Sequence, residues 1–133
     1  MKKALGYSLL EIIVTTMIIG ILASLALPRI SFSIERSRSA DGLQTLQALL
    51  LAQVAYEYEN PGTYASDIDD LDVTIPASNN FDAPSVADDP SAVASVQRNG
   101  SGGYDYILDI DEDGVVYCDN QTSPSGTCTK LGY

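Results

Sequence analysis

Polar and apolar positions divide this chain into two blocks. Residues 7–27 are predominantly apolar, and Glu11 is the only side chain among them that is charged at neutral pH. As a helix rising about 1.5 Å per residue, the run is roughly 31 Å long, which matches the hydrocarbon core of a bilayer. After Ser33 the chain becomes polar, acidic and rich in turn residues. The pattern predicts an apolar helix that carries a small water-facing domain.

Helical periodicity continues beyond the apolar block. Pro28 closes that block and predicts a kink, because proline has no backbone N–H to donate. Apolar residues then recur at steps of three and four, namely Leu43, Leu46, Leu50, Val54 and Tyr58. The Asn-Pro-Gly sequence at 60–62 stops the pattern. We therefore expect one kinked helix from about Tyr7 to Glu59, amphipathic in its second half.

Shorter elements follow the helix. Ser66 is a candidate N-cap for a short helical turn, and residues 76–90 have the composition of a surface loop. Strand-like runs occupy 91–97, 104–110, 115–118 and 127–131. The predicted fold is α+β, with a long kinked N-terminal helix packed against a small antiparallel β-sheet.

Two interpretations of the apolar block compete. Lys2 and Lys3 precede it, as in a cleaved signal peptide, and "LASLA" is a weak cleavage candidate. The run is longer than a usual signal core, which favours a retained span. The same two lysines then place the N-terminus in the cytoplasm and the water-facing domain outside.

Cysteine usage agrees with export. The chain has two cysteines, Cys118 and Cys128, and an even count in an exported domain favours one disulfide over two free thiols. Two cysteines without any histidine do not complete a zinc site. The lack of histidine also excludes histidine-based acid–base and nucleophilic catalysis.

Charge changes the list of possible partners. The net charge is −11, from 7 basic and 18 acidic residues. Nucleic-acid binding needs clustered Lys or Arg to neutralise phosphates, so no specific nucleic-acid partner is predicted. The many carboxylates leave a membrane-anchored enzyme as a minor alternative, although a solvated surface accounts for them more simply.

The sequence "DIDEDG" at 109–114 has two interpretations. Asp109, Asp111 and Asp113 match the first half of a calcium-binding loop, but the twelfth position, where a bidentate Glu is needed, is Asn120. The same residues suit a hairpin turn between two strands. We expect the hairpin without a cofactor, and keep calcium as the alternative.

The N-terminus resembles that of type IV pilins and related pseudopilins. The resemblance rests on basic Lys2 and Lys3 and on a pattern of five positions: Gly6, Tyr7, Glu11, Gly20 and Pro28. It covers about 25 residues closely. A looser likeness extends through "AYEYENPGTYASDIDDL" and the C-terminal "CTKLGY".

The resemblance implies a processing route. A membrane prepilin peptidase would cut between Gly6 and Tyr7 and methylate Tyr7, which makes 1–6 a leader. Residues 7–30 would then form the transmembrane and assembly helix, and 31–133 the extracytoplasmic head. Glu11 would be an assembly contact, and Gly20 and Pro28 would be points where the helix kinks or melts.

The implied function is structural. The chain resembles a subunit of a type IV pilus that polymerises with itself on an inner-membrane assembly platform and serves adhesion, twitching or DNA uptake. Its location would be the inner membrane before assembly and the extracellular pilus afterwards. The alternative is a pseudopilin of a type II secretion system. The terminal cysteine pair favours the pilin.

Overall fold

The structure is a computed structural model that describes residues 8–120 and 124–133, without the side chains of 27–29 and 120. Its helices are α1 (Leu9–Glu59) and α2 (Thr127–Leu131), with 3-10 turns at Ile68–Asp70 and Ser101–Gly103. Its strands are β1 (Ser85–Val86), β2 (Ala94–Gln97), β3 (Tyr106–Ile110) and β4 (Val116–Asn120). Over the described residues, these strands form one antiparallel sheet in the order β1-β2-β3-β4.

The predicted fold class is confirmed. The protein is α+β, with a long kinked N-terminal helix and a small antiparallel sheet. The chain divides into two compact units, of which the first ends at Arg36 and the second comprises Ser37–Tyr133. The second unit holds the sheet and the last part of α1, from residue 37 to Glu59.

Strand register places the core on one face of the sheet. Alternate residues of β3 point inward, and Tyr106, Leu108 and Ile110 are buried as a result. Leu108 lies opposite Val96 on one side and Cys118 on the other. Leu46 and Leu49 of α1 are fully buried in the same unit. The sheet and this part of the helix therefore supply the core together.

The buried stripe of α1 is rotated from the predicted one. Residues buried in this part of the helix are Ser39, Gly42, Leu46, Leu49 and Gln53. Only Leu46 belongs to the predicted stripe, whereas Val54 and Tyr58 are exposed. Leucines occupy several faces of this helix, so periodicity alone did not single out the buried one. A glycine and a glutamine hold positions that we had not assigned to the core.

Predictions for the shorter elements need correction. Residues 127–131 form helix α2 rather than a strand. Gly126 before it and Gly132 after it adopt the left-handed region, with φ of 77° and 103°, and so allow the chain to enter and leave one helical turn. The 3-10 turn at 68–70 is capped by Asp67, whose carboxylate accepts from the Asp69 N–H, and not by Ser66.

Strand boundaries also differ from the predicted ones. The predicted loop at 76–90 contains the two-residue strand β1. Strands β2 and β3 begin later than expected, and β4 runs to Asn120. The hairpin between β3 and β4 is confirmed at the predicted turn, where the Gly114 N–H donates to the Asp111 carbonyl.

Candidate functional site

The first half of α1 presents apolar side chains to its surroundings on every face. Each residue from Leu9 to Ala26 is exposed. The large hydrophobic ones are Leu9, Leu10, Ile12, Ile13, Val14, Met17, Ile18, Ile19, Ile21, Leu22 and Leu25. A helix that is apolar all round and unburied needs an apolar environment from outside its own fold.

Three hydroxyl side chains in this segment donate within the helix. The hydroxyls of Thr15 and Thr16 each donate at 2.9 Å to a carbonyl three residues back, and that of Ser24 does so at 2.7 Å. Each hydroxyl proton is thus bound inside the helix that carries it. This arrangement suits hydrocarbon, where a polar group without a partner is costly.

Length and composition of α1 fit a membrane span. Over the described residues, α1 is the helix long and apolar enough to cross a bilayer. Its most apolar window is wholly unburied, unlike the core helix of a soluble protein. Signal sequences can pass the same test of length and hydropathy, so α1 is a candidate membrane span by these two properties.

Two predicted site residues lie in this segment. Glu11 is the acidic residue of the first turn of α1, and its side chain is exposed. A Cβ placed on Gly20 would meet no atom within 4 Å. Gly6 and Tyr7 lie outside the described residues, as does the side chain of Pro28.

A buried glutamine joins three segments of the second unit. The Gln53 side-chain amide donates to the carbonyl of Ala65 at 2.9 Å and to that of Val93 at 3.0 Å. Its carbonyl oxygen accepts from the Ala65 N–H at 2.8 Å. Gln53 is completely buried, so these bonds satisfy groups that water cannot reach. The residue fixes α1 to the loop that follows it and to the entry of β2.

The predicted disulfide is confirmed. Cys118 of β4 is bonded to Cys128 of α2, with an S–S distance of 1.97 Å and a Cα–Cα distance of 5.5 Å. Cys128 and Leu131 of α2 are buried. The bond therefore secures a one-turn helix, too short to be stable alone, against the last strand.

The three candidate calcium ligands do not converge. Asp111 is engaged in the turn, where its carboxylate accepts from the Val115 N–H at 2.7 Å and from the Tyr117 hydroxyl at 3.1 Å. Asp109 lies on the outward face of β3, opposite Tyr117, and Asp113 is exposed. No group of three or more acidic, Cys or His side chains suited to a metal occurs within 8–120 and 124–133.

Two aspartates of this unit have shifted pKa values of opposite sign. Desolvation, with a smaller contribution from Asp119, raises the pKa of Asp109 above 3.8. Hydrogen bonds from the Ser91 hydroxyl and N–H lower the pKa of Asp89. The Asp109 environment thus disfavours the charged form, and the Asp89 environment favours it.

A tyrosine links the loop after α1 to the β3–β4 turn. The Tyr64 hydroxyl donates to the Glu112 carboxylate at 2.7 Å, and its backbone N–H donates to Asp88 at 2.7 Å. The bond to Glu112 is the main cause that raises the pKa of Tyr64 to about 12. The hydroxyl therefore stays protonated at neutral pH and acts as a structural donor.

The roles of Gln53 and Arg98 were not predicted from the sequence. Arg98 is fully buried, and its guanidinium donates to the carbonyls of Asn80 at 2.5 Å and Ser101 at 2.8 Å. Arg98 directly precedes an Asn-Gly turn, and a position of this kind does not predict burial. Gln53 occupies a core position of the helix where an apolar residue is expected. The backbone groups of Ala65 and Val93, which it binds, explain why a glutamine stands there.

Comparisons with protein-family models, with curated proteins and with solved structures find no match for this chain.

Proposed function

We propose that this protein is the structural subunit of a type IV pilus, held in a membrane by the first half of α1 and polymerised through that segment. The observation that carries the proposal is the wholly exposed apolar surface of residues 9–26. Lipid would cover this surface before assembly, and the same segments of neighbouring subunits would cover it in the filament. The resemblance of residues 6–28 to pilins supports this choice over a simple membrane anchor.

In the proposed filament, Glu11 aligns each subunit with its neighbour along the fibre axis. A carboxylate near the end of a span costs about 1 to 3 kcal/mol relative to an apolar residue, so it is usually kept for a function. Cleavage after Gly6 would create a positive amine at Tyr7. Since little solvent screens charges in an apolar environment, the amine of an incoming subunit would pair with Glu11 of a docked one. This pairing would set the axial register.

The proposal includes partners and a location. Processing after Gly6 requires a prepilin peptidase, and extraction from the bilayer requires an inner-membrane assembly platform. The head would face away from the cytoplasm, where an oxidising environment suits the Cys118–Cys128 bond. Adhesion, twitching motility and DNA uptake are the functions proposed for the assembled fibre.

Mass spectrometry with N-terminal sequencing of filaments sheared from producing cells tests the proposal. We expect this chain in the sheared fraction, beginning at methylated Tyr7. Cells that make no surface fibres, and that lose export of other proteins when the gene is deleted, would instead favour the secretion pseudopilin.

Glu11→Ala tests the register argument. We expect the variant to remain in the membrane and to be processed after Gly6, but to form no filaments by itself. Electron microscopy of sheared fractions and a membrane immunoblot give the two readouts. The matched control is Glu59→Ala at the exposed end of the same helix, which should leave fibre number unchanged. Wild-type numbers of full-length Glu11→Ala fibres would contradict the alignment role.

A further inference from the structure

The second unit contains a cleft that the assembly role does not use. Its volume is about 390 Å³, which lies within the range of small-molecule sites. The cleft lies between Thr45 of α1, the segment 75–84 and Val96 of β2. Val96 and Phe81 are buried and form the floor, while Pro76 and Ala77 are exposed and form part of the rim. Its lining mixes apolar side chains with the polar side chains of Thr45, Ser78 and Asp82.

Phe81 is held in place from three directions. Its ring packs so closely on α1 that a Cβ on Gly42 would lie 2.7 Å from the ring. The ring meets Tyr106 edge-on at 6.2 Å, and the Arg98 guanidinium lies 5.9 Å from its centre. The aromatic floor of the cleft is therefore fixed before any ligand arrives.

The loop at the side of the cleft is also fixed. The Ser78 hydroxyl donates to the Asp41 carboxylate of α1 at 2.6 Å and accepts from the Asn80 N–H at 3.1 Å. These bonds secure the segment that carries Pro76 and Ala77 to the helix. A cleft with a fixed floor and a fixed side binds a ligand without the cost of ordering its own walls.

One charged group lines the cleft. Asp82 is exposed at its rim, and the structure gives no hydrogen-bond or ionic partner for its carboxylate among the described residues. Its backbone N–H is used in the fold, where it donates to the Gln97 carbonyl. No Lys or Arg from the described part of the chain lines this cleft. The charge at the rim is therefore complementary to a cation.

We propose that this cleft binds a small arylalkylamine, with the ring against the exposed apolar rim at Pro76 and Ala77 and the ammonium group at Asp82. A planar apolar body suits a rim that exposes proline and alanine above a floor that is already packed. The single carboxylate selects a positive end over a neutral or negative one. This site is independent of filament assembly, so loss of either role leaves the other testable.

Amide chemical shifts of the isotope-labelled full chain in detergent micelles, titrated with 2-phenylethylamine, test the proposal. We expect saturable shifts at Thr45, Ala77 and Val96, with a Kd of about 1 mM for a ligand of this size. The neutral near-isostere 2-phenylethanol should bind about 3- to 10-fold more weakly, since it lacks the charge.

Three variants sharpen the test. Asp82→Asn should weaken 2-phenylethylamine about 3- to 10-fold and leave 2-phenylethanol unchanged. Ala77→Phe, a substitution at an exposed rim position, should fill the cleft and abolish binding of both. Asp69→Asn, an exposed carboxylate outside the cleft, is the matched control and should bind like the wild type. Shifts that do not saturate by about 20 times the expected Kd, or equal affinity for amine and alcohol, would overturn the proposal.

Discussion

The two halves of α1 differ in which side chains are buried and which are exposed. In residues 9–26 every side chain is exposed, including the large hydrophobic ones. In residues 39–53 a narrow stripe is buried, and its members include the polar residues Ser39 and Gln53. The buried stripe of the second half thus completes its interactions inside its own unit. The first half has an apolar surface that only another molecule, lipid or protein, can cover.

Substitution of the buried Gln53 should cause the largest loss of unfolding free energy. Gln53→Ala leaves the buried N–H and carbonyl of Ala65 without the partners that satisfy them, and leaves the Val93 carbonyl with the Ala87 N–H at 3.3 Å. Leaving such groups unpaired costs about 1 to 3 kcal/mol each, so we expect a loss of about 3 to 5 kcal/mol in the free energy of unfolding. Urea unfolding of the full chain in micelles, followed by tyrosine fluorescence, measures it.

Gln47→Ala is the matched control for Gln53→Ala. Gln47 lies on the same helix but is exposed, so its removal should change the unfolding free energy by less than about 0.5 kcal/mol. Equal effects of the two substitutions would contradict the view that hydrogen bonds of a buried glutamine hold this unit together.

Loss of the disulfide should cause the second-largest loss of unfolding free energy. Cys118→Ser opens a loop whose ends are 10 residues apart and releases α2, which should cost about 2 to 4 kcal/mol in unfolding free energy. Thermal unfolding with and without dithiothreitol provides the check. The reductant should lower the Tm of the wild type and leave that of a Cys118→Ser/Cys128→Ser double variant unchanged. A wild-type Tm that is insensitive to complete reduction would refute the prediction.

Two glycines of α1 extend the comparison between its halves. At Gly42 an added Cβ would lie 2.7 Å from the Phe81 ring, whereas at Gly20 it would meet nothing within 4 Å. Gly42→Ala should therefore destabilise the second unit by about 1 to 2 kcal/mol, because overpacking exceeds the gain in helix propensity. Gly20→Ala should leave the urea unfolding of that unit unchanged. Stabilisation by Gly42→Ala would show that Phe81 moves aside freely.

The smallest expected effect depends on pH. Because its pKa is raised in the folded state, Asp109 favours folding when protonated, and this contribution is lost as pH rises through the folded pKa. Asp109→Asn should therefore raise the Tm at pH 7, and its advantage should vanish below pH 3.8. Asp89 has the opposite shift, so Asp89→Asn should lower the Tm at pH 7 and have no effect in acid. Melting curves between about pH 2.5 and 7 compare the two.

Local signals were enough to predict the larger elements. Helix α1 followed from its length and from the stop at residues 60–62, and the β3–β4 hairpin followed from the turn that ends at Gly114. The disulfide followed from an even cysteine count. These features depend on neighbours along the chain or on a single covalent pairing, so they can be predicted without the tertiary fold.

Features that depend on distant contacts were missed. The short α2 contains Thr127, Cys128 and Thr129, which favour strand by propensity, and the disulfide and flanking glycines override that preference. The choice of buried face on α1 depends on Phe81 and on loop carbonyls that no helical periodicity encodes. At the candidate assembly helix, Glu11 and Gly20 came from the sequence pattern alone, and their roles in assembly and in kinking stay predictions.

The two outer strands of the sheet affect how closely copies of this protein can crowd together without aggregating. An unpaired outer strand offers backbone N–H and carbonyl groups that can capture another chain and start β-aggregation. Here β1 is only two residues long, and β4 has α2 attached through Cys118. Both boundaries of the sheet are thus poor templates for uncontrolled growth. At the proposed membrane location, crowded copies of the second unit would then associate through side chains and through their helices, and not by joining their sheets.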